Sequence, residues 1–238
     1  MNGLLTKGAG ELGLELPETA APAFQRYCVF LEEKSREMNL TAIHGEKDIY
    51  TLHFLDCLAV AAGRDLAGKT AIDIGSGAGF PGVPLKIACP DMRLTLLDAQ
   101  QKRVGFLSEL CEELELKEVQ CLHARAEEAA FLKNMRDGFD FAFSRAVAKL
   151  NVLSELCLPF VRPGGCFVAM KSTESDEEIA EAQGAFRVLS GELDEIRDYI
   201  VPGTDVVHRL VVVRKTGETP CGFPRRFSKI SRSPLKEE

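Results

Sequence analysis

A loop of alternating glycines is the strongest chemical signal in the sequence. Gly75, Gly77 and Gly79 separate an apolar run at residues 70–75 from a segment with helical spacing. Glycine suits such a loop because a side chain would obstruct a tight turn and the close approach of backbone to a ligand. In an α/β sheet the first turn between strand and helix forms the floor of the ligand site. We therefore predict a ligand site here; a loop that only reverses the chain is the alternative.

The acidic residue before this loop distinguishes between possible cofactors. Residues 77–82 also fit G-x-G-x-x-G, the pattern of dinucleotide-binding proteins, so spacing alone does not identify the ligand. Asp73 lies two positions before the first glycine. Its carboxylate would repel a pyrophosphate and attract a cationic sulfonium. Asp73 therefore favours S-adenosylmethionine over NAD, and an NAD-linked enzyme is the weakest alternative.

Two further residues are candidates for contact with this cofactor. Asp98 ends the next apolar run, where its carboxylate can accept hydrogen bonds from ribose hydroxyls, worth roughly 1.5–3 kcal/mol. A cap for the helix beginning at Gln100 is the other interpretation of Asp98. Phe80 either walls the methionine portion of the cofactor or belongs to the core.

The elements that must position these residues alternate between short apolar runs and longer amphipathic segments, which is typical of βαβ units around a parallel sheet. We predict a doubly wound α/β fold of seven strands, closed by an antiparallel hairpin because no helix separates the last two. The predicted strands are residues 70–75, 93–98, 119–123, 139–144, 166–171, 193–201 and 208–215. Helices are predicted at 18–37, 47–63, 81–88, 100–116, 126–134, 147–161 and 173–186.

Charge and composition divide the chain further. We predict a helical N-terminal extension at 1–64, a cofactor-binding domain at 65–216 and a basic tail at 217–238. The net charge is −7, but residues 207–238 hold eight Lys/Arg and three Asp/Glu, a local +5 that leaves −12 elsewhere. Such a tail is either solvated or binds an anionic partner.

Cysteine and hydropathy patterns exclude several classes of protein. The eight cysteines include no C-x-x-C pair and no zinc-like combination with the four histidines, so we predict reduced thiols and no metal site. No apolar run approaches the ~20 residues that cross a bilayer, and the first 17 residues lack the pattern of a signal peptide. We therefore expect a cytoplasmic protein without membrane association.

From about residue 24 onward the chain resembles the RsmG family, also called GidB, of bacterial small-subunit ribosomal RNA methyltransferases. The glycine loop with its Phe-Pro-Gly extension and the Ser-Arg-Ala after the fourth strand are the most specific matches. The matching stretches are 39–43 (NLTAI), 53–56 (HFLD), 73–82 (DIGSGAGFPG), 96–98 (LLD), 102–103 (KR), 106–107 (FL), 125–128 (RAEE), 144–148 (SRAVA) and 164–171 (GGCFVAMK).

This resemblance implies a class I, Rossmann-like methyltransferase. Its substrate would be N7 of a guanine in 16S ribosomal RNA, guanine 527 in conventional numbering, as naked RNA or within the small ribosomal subunit or its precursor. DNA would not be a partner, and we expect a monomer. The resemblance places cofactor contacts on Gly75, Phe80, Asp98, Ala99, Ala126, Glu127 and Arg145. Glu127 would lie beside the adenine, although an acidic residue at a helix start is equally expected as a partner of the helix dipole.

Guanine N7 carries a lone pair and no hydrogen, so the transfer needs placement and no general base. Arginine is suited to holding RNA because its planar fork binds phosphate or guanine in two places. Structural ion pairs are the alternative for Arg125, Arg145 and Arg209, and a solvated side chain is the alternative for Lys171. The candidates are Arg125, Arg145 and Arg209 for positioning, with Lys171, Arg225, Arg226, Lys229 and Arg232 for binding RNA.

The chain departs from the family pattern in two places. The family often has Trp-Asn before Asn-Leu-Thr, whereas this chain has Lys34 and Ser35 there and no tryptophan at all. In the tail, Ser228 and Ile230 replace a glycine and a proline. Two other functions stay open: a methyltransferase acting on a small molecule or protein, which the acidic bulk would suit, and a non-catalytic module that binds a nucleotide.

Overall fold

The fold is a seven-stranded α/β sheet, seen in a computed structural model that describes residues 1–145 and 148–236. The strand order is β3-β2-β1-β4-β5-β7-β6. The first five strands are parallel, and β7 pairs antiparallel with both β5 and β6. The predicted doubly wound sheet with a closing antiparallel hairpin is confirmed. The strands are β1 Thr70–Ile74, β2 Arg93–Asp98, β3 Val119–His123, β4 Phe139–Arg145, β5 Val161–Ser172, β6 Gly191–Ile200 and β7 Val207–Lys215.

The strand order reverses between β1 and β4, so their carboxyl ends open a crevice. The apolar runs of the central strands form these elements because both faces of a parallel sheet are covered by helices. The helices are α1 Asn2–Glu11, α2 Ala20–Met38, α3 Glu46–Ile49, α4 Asp56–Leu58, α5 Gly82–Ala88, α6 Gln101–Glu113, α7 Ala126–Ala129, α8 Leu150–Cys157, α9 Asp176–Val188 and α10 Phe227–Arg232. A π-helical segment, Tyr50–Leu55, joins α3 to α4.

The N-terminal helices pack on one face of the sheet. Phe24, Tyr27 and Phe54 are fully buried in one cluster of apolar side chains with Leu96 and Val168 from the strands. The phenol of Tyr27 donates a hydrogen bond to the carbonyl of Ala78 at 2.5 Å, so α2 supports the glycine loop directly. In the described part of the chain, no helix is long and apolar enough to span a bilayer.

Several elements differ from the sequence predictions. The helix predicted at 47–63 contains the π-helical segment and ends at Leu58. The Pro163-Gly164-Gly165 stretch is a bulge inside β5 and not a turn before it, because Gly164 has φ +83° and Gly165 packs against the carbonyl of Asp140. The helix predicted at 126–134 ends at Ala129. The helix predicted at 147–161 begins at Leu150 and ends at Cys157. Residues 146 and 147, which belong to the Ser-Arg-Ala motif and to the start of that helix, lie outside the described residues.

The basic tail is docked on the sheet domain. Its short helix α10 buries Ile230 completely, and the guanidinium of Arg225 pairs with Glu155 of α8, whose side chain is fully buried. Arg225 Nη2 and Nε lie 2.6 and 2.8 Å from the two carboxylate oxygens. The tail is therefore held by packing and by a buried ion pair, while Arg226, Lys229 and Arg232 are exposed.

Candidate active site

The glycine loop follows β1 with a backbone that only glycine adopts readily. Gly75, Gly77 and Gly79 have φ values of +74°, +58° and +98°. A Cβ at Gly79 would lie 2.8 Å from the Tyr27 hydroxyl, whereas at Gly77 it would meet only the carbonyl of Gly75, at 3.9 Å. Gly79 is therefore required for packing behind the loop, and Gly77 leaves its front open.

Asp98 ties this loop to the end of β2. One carboxylate oxygen accepts from the amide of Gly77 at 3.0 Å and the other from the amide of Gln100 at 2.8 Å. The Arg103 guanidinium lies 3.7 Å from the first of these oxygens. The carboxylate is buried yet lines the cavity in front of the loop, so both interpretations of Asp98 fit: it caps the following segment, and it presents acceptors to a ligand.

Asp73 lies beneath the loop and does not line the cavity. Its side chain is fully buried, with one oxygen accepting from the amide of Gly82 at 2.9 Å. The other oxygen has no hydrogen-bond partner in the part of the chain that the structure describes. Burial, together with the negative charge of Asp98, raises the pKa of Asp73 to about 7. Asp73 can influence a cation in the cavity through its charge, and direct contact stays a prediction.

The cavity occupies about 440 Å³ between the carboxyl ends of β1, β2 and β4 and the N-terminal segment. This volume is within the range of small-molecule sites. A buried carboxylate in the wall and an unpartnered carboxylate oxygen beneath the floor suit a ligand with a cationic centre, such as S-adenosylmethionine. The lining residues are Leu40, Thr41, His53, Gly75, Ser76, Gly77, Ala78, Phe80, Asp98, Ala99, Gln100, Arg103 and Arg145.

Arg145, the last residue of β4, is held by the N-terminal segment. One terminal nitrogen lies 2.8 Å from Nδ1 of His53 and 3.1 Å from the carbonyl of Leu52. The other lies 3.2 Å from Sγ of Cys57 and 3.4 Å from a carboxylate oxygen of Asp56. These protein contacts, with only 17% of the side chain exposed, make Arg145 a group that positions its neighbours more than a free clamp for phosphate.

His53 forms part of the cavity wall. Its ring stacks on Phe80 with 4.3 Å between ring centroids, and the Arg145 guanidinium lies 5.4 Å from the centre of the same phenyl ring. Burial and the positive charge of Arg145 lower the pKa of His53 to about 3, so the imidazole is neutral near pH 7. On its other side, Nε2 of His53 lies 2.7 Å from the hydroxyl oxygen of Thr41. The wall is thus an aromatic surface without an extra positive charge.

A second layer links this wall to the closing hairpin. Asp56, fully buried, accepts a hydrogen bond from the Tyr199 hydroxyl at 2.7 Å and lies 2.8 Å from Nδ1 of His208. Its hydrogen bond to Asp56 raises the pKa of His208. The Arg145 cluster therefore rests on residues from β4, β6, β7 and the N-terminal helices at once.

Several predicted site residues lie elsewhere. Arg125 and Glu127 line a separate groove of about 700 Å³ beside the tail, and Ala126 is buried in the core. Arg209 bridges Asp198 and Asp176, with 2.6 Å from its Nε to the Asp198 carboxylate.

Lys171 donates to the carbonyl of Ala148 and to Glu178, at 2.7 and 2.6 Å, and only 12% of its side chain is exposed. For Arg209 the structure therefore favours the structural ion pair that was the alternative. Lys171 and Arg225, for which solvation was the alternative, are also held in ion pairs, and a role with RNA stays a prediction for all three.

Sequence reasoning assigned no role to Thr41, His53 or Arg103, although all three line the cavity. Thr41 and His53 lie in two stretches that carry the resemblance, 39–43 and 53–56, and this was the signal that could have identified them. Nothing in their spacing indicates that an N-terminal segment folds over the carboxyl end of β4.

Comparison with known proteins agrees with this geometry. Residues 20–201 match the GidB family model, described as rRNA small subunit methyltransferase G. Two relatives carry the name Ribosomal RNA small subunit methyltransferase G. The relative from Alkaliphilus oremlandii is 44% identical and that from Clostridium perfringens (strain SM101 / Type A) 42% identical, each over 98% of both chains.

Solved structures share the fold. The mitomycin 7-O-methyltransferase MmcR matches with a TM-score of 0.56 and 18% identity over 81% of this chain and 60% of that one. The M. jannaschii protein TYW2, in complex with AdoMet, matches with 0.54 and 13% over 74% and 79%. With a family model covering most of its length and relatives above 40% identity from end to end, the chain belongs to the family of small-subunit ribosomal RNA methyltransferases G.

Proposed function

We propose that this protein transfers the methyl group of S-adenosylmethionine to N7 of a guanine in 16S ribosomal RNA. The observation that carries the proposal is the cavity in which the glycine loop, Asp98 and Arg145 converge, in a chain of this family. The names of the relatives indicate small-subunit ribosomal RNA as the substrate, and the resemblance supplies the guanine and its N7. We extend the proposal to the cytoplasm as the place of action, because ribosomal RNA is the substrate.

The cofactor would be held by groups from three strand ends. The loop at Gly75 and Gly77 leaves room for the cofactor to approach, and the carboxylate of Asp98 offers hydrogen-bond acceptors for its polar groups. Phe80 and the neutral ring of His53, which are stacked on each other, add aromatic rings to the cavity wall. When bound, S-adenosylmethionine supplies an electrophilic methyl carbon on a positively charged sulfur.

For this transfer, the protein has only to align N7 of the guanine with the methyl carbon and the sulfur. A bond forms between N7 and the methyl carbon as the carbon–sulfur bond breaks, and the positive charge passes from sulfur to the guanine ring. No proton is removed, so no side chain has to act as a base. Orientation of reacting groups is worth up to roughly 7–11 kcal/mol. The Phe80, His53 and Arg145 cluster is suited to this task because each member is fixed by the next.

The domain boundaries, the monomeric state and the absence of a DNA substrate are further parts of the proposal. The alternatives, a small-molecule or protein substrate and a non-catalytic module, make different predictions for one experiment. Small-subunit RNA from a strain without the gene is incubated with enzyme and S-adenosylmethionine, then treated with borohydride and aniline. We expect one new stop of reverse transcription, at a guanine, which is absent without the cofactor. Cofactor binding with no such stop would refute the proposal.

A further inference from the structure

We propose that the hydroxyl of Thr41 donates a hydrogen bond to O6 of the target guanine and thereby distinguishes guanine from adenine. This inference deepens the proposed function and rests on it. It comes from the directions in which the hydrogen bonds around His53 must run.

Arg145 determines the direction of the hydrogen bonds around His53. A guanidinium has only donors, so at 2.8 Å the Nδ1 atom of His53 must be the acceptor and carries no hydrogen. A neutral imidazole then has its hydrogen on Nε2. Burial and Arg145 keep the ring neutral, as its lowered pKa also indicates. Arg145 therefore fixes which tautomer His53 adopts.

The next link is Thr41. With its hydrogen on Nε2, His53 donates to the Thr41 hydroxyl oxygen across 2.7 Å. The amide of Ile43 donates to the same oxygen across 3.0 Å. A hydroxyl oxygen has two lone pairs, and both are now occupied. Its own hydrogen has no acceptor within residues 1–145 and 148–236, and Thr41 lines the cavity. The remaining hydrogen is available to a ligand in the cavity.

Guanine offers the acceptor that this donor needs. N7 and O6 lie side by side on one edge of the base, and N7 must stay free to attack. A hydrogen-bond donor near N7, such as the Thr41 hydroxyl, should therefore bind O6. Adenine carries an amino group in that place, which would set a donor against the Thr41 hydrogen. Thr41 is then a specificity-determining residue, and His53 and Arg145 are positioning residues that prevent its hydroxyl from turning round.

The test compares guanine with a base that lacks O6. Small-subunit RNA is assembled by ligation with either guanine or 2-aminopurine at the modified position; 2-aminopurine keeps N7 and lacks both O6 and the hydrogen on N1. Single-turnover methyl transfer is measured for wild type, Thr41→Val and Thr41→Ser. We expect wild type to prefer guanine by about five- to tenfold, the effect of one hydrogen bond. Thr41→Val should lose this preference, and Thr41→Ser, which keeps the hydroxyl, should retain it.

Other results would overturn the role of Thr41. One is equal methylation of both bases by the wild-type enzyme, a result that can be obtained without any variant. Another is a full preference in Thr41→Val with weakened S-adenosylmethionine binding by calorimetry, which would place the donor on the cofactor. If wild type fails on natural RNA, the proposed function itself is refuted. Normal transfer to guanine without dependence on O6 refutes only the assignment to Thr41.

Discussion

Two arginines, Arg145 at the cavity and Arg225 at the tail, are both held by buried groups, but they are held differently. Arg225 directs Nε and Nη2 at one carboxylate, Glu155, with nitrogen–oxygen distances of 2.6 to 3.1 Å, and Nη2 also donates to the carbonyl of Ser233. Arg145 divides its donors among a ring nitrogen, a carbonyl and a thiol, and its nearest carboxylate is 3.4 Å away. The first arrangement neutralises a charge, whereas the second orients neutral groups around a cavity.

This difference separates stability from function. A fork that is committed to one buried carboxylate holds that charge in place, and its loss leaves the charge unpaired. A guanidinium whose donors fix neighbouring side chains can be lost at smaller cost to folding but at larger cost to alignment. Charge counting in the sequence treats both residues alike, as basic candidates for RNA. The variants below test whether the two roles separate.

The largest expected effect is on stability at the tail. Arg225→Ala should lower the free energy of unfolding by about 3–5 kcal/mol, because Glu155 stays buried without its partner. Urea denaturation followed by circular dichroism measures this change. The matched control is Arg214→Ala, whose pair with Glu192 is about half exposed and should be worth at most about 1 kcal/mol. Equal losses of stability in the two variants would show that the buried Arg225–Glu155 pair contributes no more than an exposed ion pair.

At the cavity the effect should fall on catalysis. Arg145→Ala releases His53 and should slow single-turnover methyl transfer about 100-fold, since small misplacements of a reacting group have effects of that size. The folded state should persist, because Asp56 keeps Tyr199 and His208 as partners. Thermal unfolding of the variant checks the second statement.

A matched arginine makes the Arg145 result specific. Arg197 also donates to backbone carbonyls, those of Ala59 and Ala62, but does not line the cavity. Arg197→Ala should leave the transfer rate within about twofold of wild type. Rates for Arg145→Ala near those of wild type would refute its positioning role, whatever the stability of the variant.

The contrast between the two arginines also shows what the sequence could predict. Strand positions followed from apolar runs, and the residues at strand ends, Asp98 and Arg145, reached the cavity because parallel strands share a carboxyl edge. The partners of Arg225 and Arg209 could not be predicted, since Glu155 and Asp176 come from helices whose docking is a tertiary property.

Helix α1 was missed for a related reason. Gly3, Gly8 and Gly10 give it weak helical propensity. The helix is stabilised by burial of Leu5 and Ala9, and at Gly8 by contact so close that a Cβ would lie 2.6 Å from Leu55. The same packing of N-terminal segments carries Thr41 and His53 over the strand ends, which no local pattern indicates.

A smaller effect is expected from the exposed part of the tail. Arg226, Lys229 and Arg232 are exposed, and no ion pair holds them in the described residues. Replacing all three with glutamine should weaken binding to small-subunit RNA about tenfold. The slope of log affinity against log salt should fall by about 2, from roughly 0.7 per phosphate contact. Filter binding at several salt concentrations measures both quantities.

A control of equal charge tests whether position matters. Lys7, Lys47 and Lys117 are exposed and lie outside the tail, and their replacement by glutamine changes the net charge by the same amount. This control should leave the salt slope within error of wild type. Equal slopes in the two triple variants would contradict a local RNA-binding surface on the tail.

The smallest effect concerns the charge beneath the glycine loop. Because burial raises the pKa of Asp73 to about 7, its carboxyl is mostly protonated at pH 6 and mostly ionised at pH 8.5. A negative charge under the cavity attracts a sulfonium, so S-adenosylmethionine should bind about threefold more tightly at the higher pH. Calorimetry on wild type and Asp73→Asn separates this contribution from titration of the cofactor itself, which both proteins share. If both show the same dependence on pH, Asp73 acts only through its hydrogen bond to Gly82, and its charge does not select the cofactor.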